Sequence, residues 1–155
     1  IDEQMERGIM LKGEYFLTDT ITVMIEHGAK VRTNEISTWL DTGTIEATLD
    51  TNKVLLEKIG SQVGKFKGSN VEIVEPVAIH ESAEISNSKI GPYASIGANC
   101  KIENSQIAES IIEANCEIKD AALNRSLIGR QATVKGRSDG HVMKLNISDT
   151  SSVVL

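Results

Sequence analysis

Aliphatic residues recur along the second half of the chain at a spacing that neither a helix nor a single strand produces. From Ile79 they fall at Ile85, Ile90, Ile96, Ile102, Ile107, Ile112, Ile118, Leu123, Ile128 and Val134, every step five or six residues long. An amphipathic helix repeats apolar positions at three and four residues, and a half-buried strand at two. Steps of five and six fit a β-helical solenoid, in which each word is a short strand with a corner and three words close a triangular coil. Ile79, Ile96, Ile112 and Ile128 then stack on one wall. Ile85, Ile102, Ile118 and Val134 form the second wall, and Ile90, Ile107 and Leu123 the third.

A second regularity supports the first. Three walls converging on a narrow axis leave room only for small side chains at the other inward position. That position holds Ala83, Ala94, Cys100, Cys116 and Ala132 in the longer words, and Ser88, Ser105, Ser110, Ala121 and Ser126 in the shorter ones. Cys100 and Cys116 thus occupy equivalent places in adjacent coils and read as small buried hydrophobes.

Residues 1–58 follow other rules and form a separate unit. Asp2 to Leu11 is rich in helix formers. Thr18-Asp19 reads as the N-cap of a helix running to Glu26 or His27, with Ile21, Met24 and Ile25 on one face and Gly28 as its stop. Ala29 to Glu35 has strand character. Thr44 caps a third helix, whose apolar stripe is Ile45, Leu49, Leu55 and Leu56. A lone strand leaves its backbone groups unpaired, so this unit reads as part of a larger sheet-containing domain. The glycine-rich stretch 59–70 reads as a linker, 71–136 as the solenoid, and 137–155 as a terminal strand and cap over the last coil.

Composition narrows the function. The formal net charge is -6, with no basic run, which argues against nucleic acid as a partner. No apolar run is long enough to span a bilayer and no secretory signal opens the sequence, so the expectation is a cytoplasmic protein without a membrane partner. Two cysteines are too few for a disulfide framework. The chain begins at Ile1, as expected of a piece of a longer protein.

The repeat resembles left-handed parallel β-helix proteins, a group that includes hexapeptide acyltransferases and the C-terminal domains of sugar nucleotidyltransferases. Two further motifs narrow the resemblance. Lys12-Gly13-Glu14-Tyr15-Phe16-Leu17-Thr18-Asp19 and, after some twenty residues, Trp39-Leu40-Asp41-Thr42-Gly43-Thr44 are similar to the last segment of the catalytic domain of sugar-1-phosphate nucleotidyltransferases. The nearest type is the glucose-1-phosphate thymidylyltransferase with a C-terminal β-helix. Ile90-Gly91-Pro92 and Ser126-Leu127-Ile128-Gly129 match words of that β-helix. The resemblance implies an α/β remnant of a catalytic domain followed by a left-handed β-helix. It also implies an NTP and a sugar 1-phosphate as substrates.

By the same resemblance Asp41 is a Mg2+ carboxylate ligand, Lys12 faces the sugar phosphate and Glu14 lies near the sugar pocket. Magnesium commonly takes one or two carboxylates with substrate phosphates rather than a complete protein cage. The family's GGxGTRL-like triphosphate loop and its Glu-Lys-Pro sugar segment occur nowhere in these residues. The expectation is therefore a C-terminal part that does not turn over alone. Read from the residues only, Asp41 is a turn residue ahead of a capped helix. Two other functions stay open: a structural β-helix module that forms homo-oligomers, and an acyltransferase acting on an amino-sugar phosphate, with the outward-facing His80 as general base.

Overall fold

The computed structural model describes residues 1–137 and 140–154, so positions 138, 139 and 155 of the expected cap lie outside the described residues. The chain divides into two compact units, Ile1–Trp39 and Leu40–Leu155.

The first unit contains helices α1 (Asp2–Glu6) and α2 (Leu17–Glu26). Its centre is polar. The Gln4 amide is buried, donating from Nε2 to the carbonyls of Ile9 at 3.2 Å and Phe16 at 3.1 Å, while its oxygen accepts from the Thr20 hydroxyl. Arg7 pairs with Glu26 at 2.7 Å and His27 with Glu3 at 2.8 Å.

Four local expectations are corrected here. The first helix stops at Glu6, short of Leu11. Helix α2 begins at Leu17 with Phe16 as its cap residue and no side-chain cap bond, so Thr18 and Asp19 lie inside its first turn. Thr20 and Val23 are its buried residues and Ile21, Met24 and Ile25 are exposed, because the Gln4 hydrogen bonds draw Thr20 inward. Ala29 to Glu35 forms no strand, having no partner in its unit to satisfy its backbone.

The second unit opens with helix α3 (Ile45–Ile59). Thr44 caps it as expected, its hydroxyl accepting the Ala47 N–H at 3.2 Å. Leu49 and Leu56 are buried, but Leu55 is exposed and does not belong to the packed stripe. Among the described residues fifteen short strands follow: β1 (Gln62–Val63), β2 (Lys67–Ile73), β3 (Val77–Ile79), β4 (Glu84–Ile90), β5 (Ala94–Ile96), β6 (Lys101–Glu103), β7 (Gln106–Ala108), β8 (Ile111–Ile112), β9 (Glu117–Lys119), β10 (Ala122–Asn124), β11 (Leu127–Ile128), β12 (Thr133–Lys135), β13 (Val142–Met143), β14 (Asn146–Ile147) and β15 (Ser152–Val154).

All these strands pair in parallel, making a β-solenoid. One wall has the order β1-β3-β5-β8-β11-β14. The other two are joined into one sheet because β2 and β4 are long enough to run around a corner. The register follows the isoleucine ladder. Ile79 pairs with Ile96, Ile96 with Ile112 and Ile112 with Ile128; Ile85 with Ile102, Ile102 with Ile118 and Ile118 with Val134; Ile90 with Ile107 and Ile107 with Leu123.

The ladder is longer than its isoleucines suggested. Residues 59–70, expected as a linker, contain β1 and the start of β2, whose Val63, Gly68 and Ile73 pair with Ile79, Ile85 and Ile90. At the other end Met143, Ile147 and Val153 pair with Leu123, Ile128 and Val134, so the described part of 137–155 continues the coil.

The axis is filled as the small-residue column required. Ala83, Ala94, Cys100, Cys116, Ala121 and Ala132 are buried together with Ser88, Ser105, Ser110 and Ser126. Burying a hydroxyl is costly unless it is bonded. Each serine meets this with one device: Ser105 Oγ donates to the Glu103 carbonyl at 2.7 Å and accepts the Ala121 N–H of the next coil at 3.2 Å. Ser110 does the same with the Ala108 carbonyl at 2.6 Å and the Ser126 N–H at 3.0 Å. The corners rely on residues tolerating the left-handed region, including Asn70, Asn87, Asn104 and Asp120 in one column and Asn99 and Asn115 in another. Their amides also stack, Asn70 Nδ2 donating to Asn87 Oδ1 at 3.0 Å and Asn99 Nδ2 to Asn115 Oδ1 at 3.2 Å.

Candidate functional site

Helix α3 runs lengthwise along one corner of the solenoid and carries the Asp41 turn at its head. Its polar stripe is Glu46, Asp50, Lys53 and Glu57, spaced four, three and four residues apart, as one helix face requires. Glu46 Oε1 accepts from Lys144 Nζ at 2.9 Å and Asp50 Oδ1 from Arg125 at 3.1 Å. Glu57 Oε1 accepts the Tyr93 hydroxyl at 3.0 Å, and Lys53 Nζ sits 4.5 Å from the centre of the Tyr93 ring. Tyr93 and Arg125 are corner residues with φ of 60° and 50°. Glu109, on the rung between them, makes a second contact with Arg125 at 3.5 Å.

The lengths match. From Glu46 to Glu57 the helix rises about 16 Å, and the three rung steps from Lys144 back to Tyr93 span about 14 Å. At the middle of the helix Asn52 joins the sheet directly. Its Oδ1 accepts the Ser95 hydroxyl at 2.6 Å and its Nδ2 donates to the Tyr93 carbonyl at 3.3 Å. Both residues are half-buried.

Electrostatics follow these contacts. The Lys144 hydrogen bond holds the Glu46 carboxyl below its ordinary value, helped by a backbone N–H at the helix start. The Glu57 carboxylate beside Tyr93 pushes the phenol upward. Inside the solenoid, the neighbouring Cys116 thiol and burial push the Cys100 thiol well above the usual thiol range. The two thiols donate to carbonyls, Cys100 to Glu113 at 2.9 Å and Cys116 to Gly129 at 3.0 Å.

Asp41 is exposed, with Oδ1 accepting the Gly43 N–H at 3.0 Å and its backbone carbonyl accepting the Thr51 hydroxyl at 2.9 Å. Thr48 Oγ1 adds bonds to the carbonyls of Thr42 at 3.3 Å and Thr44 at 2.9 Å. The turn is therefore tied to the first two turns of α3. Among the described residues no group of three or more His, Cys, Asp or Glu could hold a metal ion. What Asp41 offers is one carboxylate, with a second oxygen directed to no other group of its turn.

Lys12 and Glu14 lie in the other compact unit, where they share one tight turn. Leu11 and Glu14 exchange backbone bonds of 3.0 and 3.1 Å, and Lys12 and Gly13 between them have φ of 53° and 81°, the positive pair that a two-residue loop of this hand needs. Both side chains are exposed. His80 faces outward, as its place after an inward isoleucine required; its Nδ1 accepts the Ser82 N–H at 3.2 Å and lies 2.9 Å from Ser82 Oγ.

The helix-to-solenoid contacts through Asn52, Tyr93, Ser95, Arg125 and Lys144 were not legible in the sequence. A polar stripe on a helix ordinarily faces solvent. Its signal was the repeated corner position, where Tyr93, Glu109 and Arg125 follow one another at the coil period.

Residues 73–147 match the family described as the GMPPB C-terminal domain. Over these residues the chain is similar to that C-terminal domain. Among curated proteins it is similar to a glucose-1-phosphate thymidylyltransferase of Streptomyces griseus, 28% identical over 119 residues, covering 65% of this chain and 34% of that protein. A glucose-1-phosphate thymidylyltransferase of Streptomyces antibioticus is 31% identical over 119 residues, covering 65% of this chain and 33% of that protein. The chain thus spans about a third of the length of these relatives.

Proposed function

We propose that this chain is the C-terminal part of an enzyme that transfers a nucleotidyl group from an NTP to a sugar 1-phosphate. The carrying observation is that a solenoid homologous to that enzyme class is physically continuous with a capped helix presenting Asp41. In the reaction a phosphate oxygen of the sugar 1-phosphate attacks the α-phosphorus. A new P–O bond forms, the bond to the β-phosphate oxygen breaks, and pyrophosphate leaves.

The residues have separate tasks on this reading. Asp41 supplies one carboxylate toward Mg2+, a fit supported by its exposure, its single turn-internal hydrogen bond and the preference of that ion for few protein ligands. When bound, magnesium neutralises charge on the triphosphate and on the departing pyrophosphate. Lys12 pairs with the sugar phosphate and Glu14 with the sugar, both from a turn whose backbone is fixed by its own bonds. These 155 residues contain no glycine-rich triphosphate loop, so residues 1–58 act as the end of a catalytic domain whose nucleotide-binding half they do not supply.

The solenoid is of the left-handed hexapeptide type, with 71–136 carrying its isoleucine ladder and the strands of 59–70 and of the described part of 137–155 extending it at either end. The protein works in the cytoplasm as a homo-oligomer. Two free buried thiols suit a reducing compartment. The exposed row Leu17, Ile21, Met24 and Ile25 on α2 suits association. Pyrophosphate release from an NTP and a sugar 1-phosphate, by the protein containing these residues and by its Lys12→Ala and Asp41→Asn variants, tests the assignment. Both variants should lose most activity, and undiminished rates would remove the assigned roles.

A further inference from the structure

The solenoid could serve the first half of this chain in two ways, as a passive appendage or as the frame that sets a working residue. The contacts of α3 separate them. A helix held only by a greasy stripe can slide or roll by small amounts with little change in buried area, because apolar contact is non-directional. This helix is held by directional bonds at four levels. Glu57 engages Tyr93, Asn52 engages Ser95 and the Tyr93 carbonyl, Asp50 engages Arg125, and Glu46 engages Lys144. Tyr93 and Ser95 stand on one rung, Arg125 two rungs further and Lys144 one beyond it, so their spacing is fixed by the sheet itself. The outer ion pairs are exposed and weakly held, whereas the Asn52 amide is half-buried and satisfied at both ends.

The same helix also holds the Asp41 turn. Thr51, adjacent to Asn52, donates to the Asp41 carbonyl at 2.9 Å, and Thr48 donates to the Thr42 carbonyl at 3.3 Å. A chain of four groups therefore leads from the sheet to the turn: Ser95 hydroxyl, Asn52 amide, helix backbone, Thr51 hydroxyl.

From this geometry we infer that Ser95 and Asn52 are positioning residues for the Asp41 turn, so that the solenoid fixes where that carboxylate stands. The inference rests on the proposed role of Asp41 for its functional meaning. It means that the solenoid is part of the working site of the enzyme, and that changes on its corner alter metal binding at a residue they do not touch.

The test uses this chain as it stands. Hydrogen exchange of residues 41–51 is compared in the unchanged protein, Ser95→Ala, Asn52→Ala and Ser95→Thr, with Lys101→Ala on a distant wall as control. Loss of one such hydrogen bond should speed local opening roughly two- to tenfold. Ser95→Ala and Asn52→Ala should show this in 41–51 while strands 101–135 keep their protection, and Ser95→Thr, retaining the hydroxyl, should restore slow exchange. Unchanged exchange of 41–51 in both alanine variants overturns the inference, as does equal acceleration in Lys101→Ala.

Manganese titration then reads the site itself, through paramagnetic broadening of the Gly43 amide resonance. Broadening should require Asp41, disappearing in Asp41→Asn, and should need more manganese in Ser95→Ala than in Ser95→Thr. Identical broadening with and without Asp41 would end the metal role of Asp41. Faster exchange in the alanine variants would in that case still establish the positioning.

Discussion

Glu46 and Lys144 stand 98 positions apart in the sequence and form a 2.9 Å ion pair that joins the first turn of α3 to the last coil of the solenoid. The pair shows that the helix runs opposite to the direction of coil growth, with its start beside the end of the solenoid. Because Lys144 holds the Glu46 carboxyl below the ordinary value of 4.5, the folded state binds its proton less readily than the unfolded chain does. The contribution is fully present above the ordinary carboxylate value and is lost as pH falls through the lowered one. Exchange protection of residues 45–50 should therefore differ between the unchanged protein and Lys144→Met at pH 7 and converge as acid protonates the Glu46 carboxyl in the folded state. A difference that persists in acid would show that the pair does not hold the helix start.

Ser110 is fully buried, donating to the Ala108 carbonyl and accepting from the Ser126 N–H. Replacing it with alanine keeps the volume small but leaves that N–H without an acceptor, which should cost about 1–3 kcal/mol. Urea unfolding of Ser110→Ala against Ser69→Ala, at an exposed position, measures it. Equal midpoints would mean that the serine column is filling space only.

Gly91 occupies φ +100°, and a Cβ there would strike the Val74 carbonyl and the Val77 side chain. Gly91→Ala therefore meets both backbone strain and overlap with main chain that cannot swing away, costing about 2 kcal/mol or more. Thermal unfolding should show a drop of several degrees. Gly140, also at positive φ, meets nothing within 4 Å of an added Cβ and serves as the comparison.

Cys100 and Cys116 are fully buried and bonded to carbonyls, and the Cys100 thiol is shifted toward its protonated form. Since the thiolate is the reactive species, neither should react with an alkylating reagent in native protein at neutral pH, and both should react in denaturant. Rapid native labelling at either residue would contradict the packing of the axis.

The solenoid was legible because its rule is repetitive: one aliphatic residue and one small residue per word, imposed by a narrow core. Its two ends escaped notice because Val63, Gly68, Met143 and Val153 satisfy the same register with other side chains. The α3 cap was readable from Thr44, since capping is local chemistry. The burial of Thr20 in place of Ile21 was not, because it depends on where Gln4 places its amide. Asp41, and in the other unit Lys12 and Glu14, were picked out by resemblance. The Asn52 and Ser95 contact joins residues 43 positions apart, and no pattern within either segment announces it.

The proposed metal role of Asp41 is tested most directly by pyrophosphate release from an NTP and a sugar 1-phosphate, measured on the protein that contains these residues. Asp41→Asn should be compared with it across a magnesium titration. The predicted result is magnesium-dependent release that falls at least about a hundredfold in Asp41→Asn, the order of loss seen when one charge-stabilising group is removed from an active site. The same assay on residues 1–155 alone should give no turnover. Release by the 155-residue chain itself, or an Asp41→Asn protein as active as the original, would contradict the account.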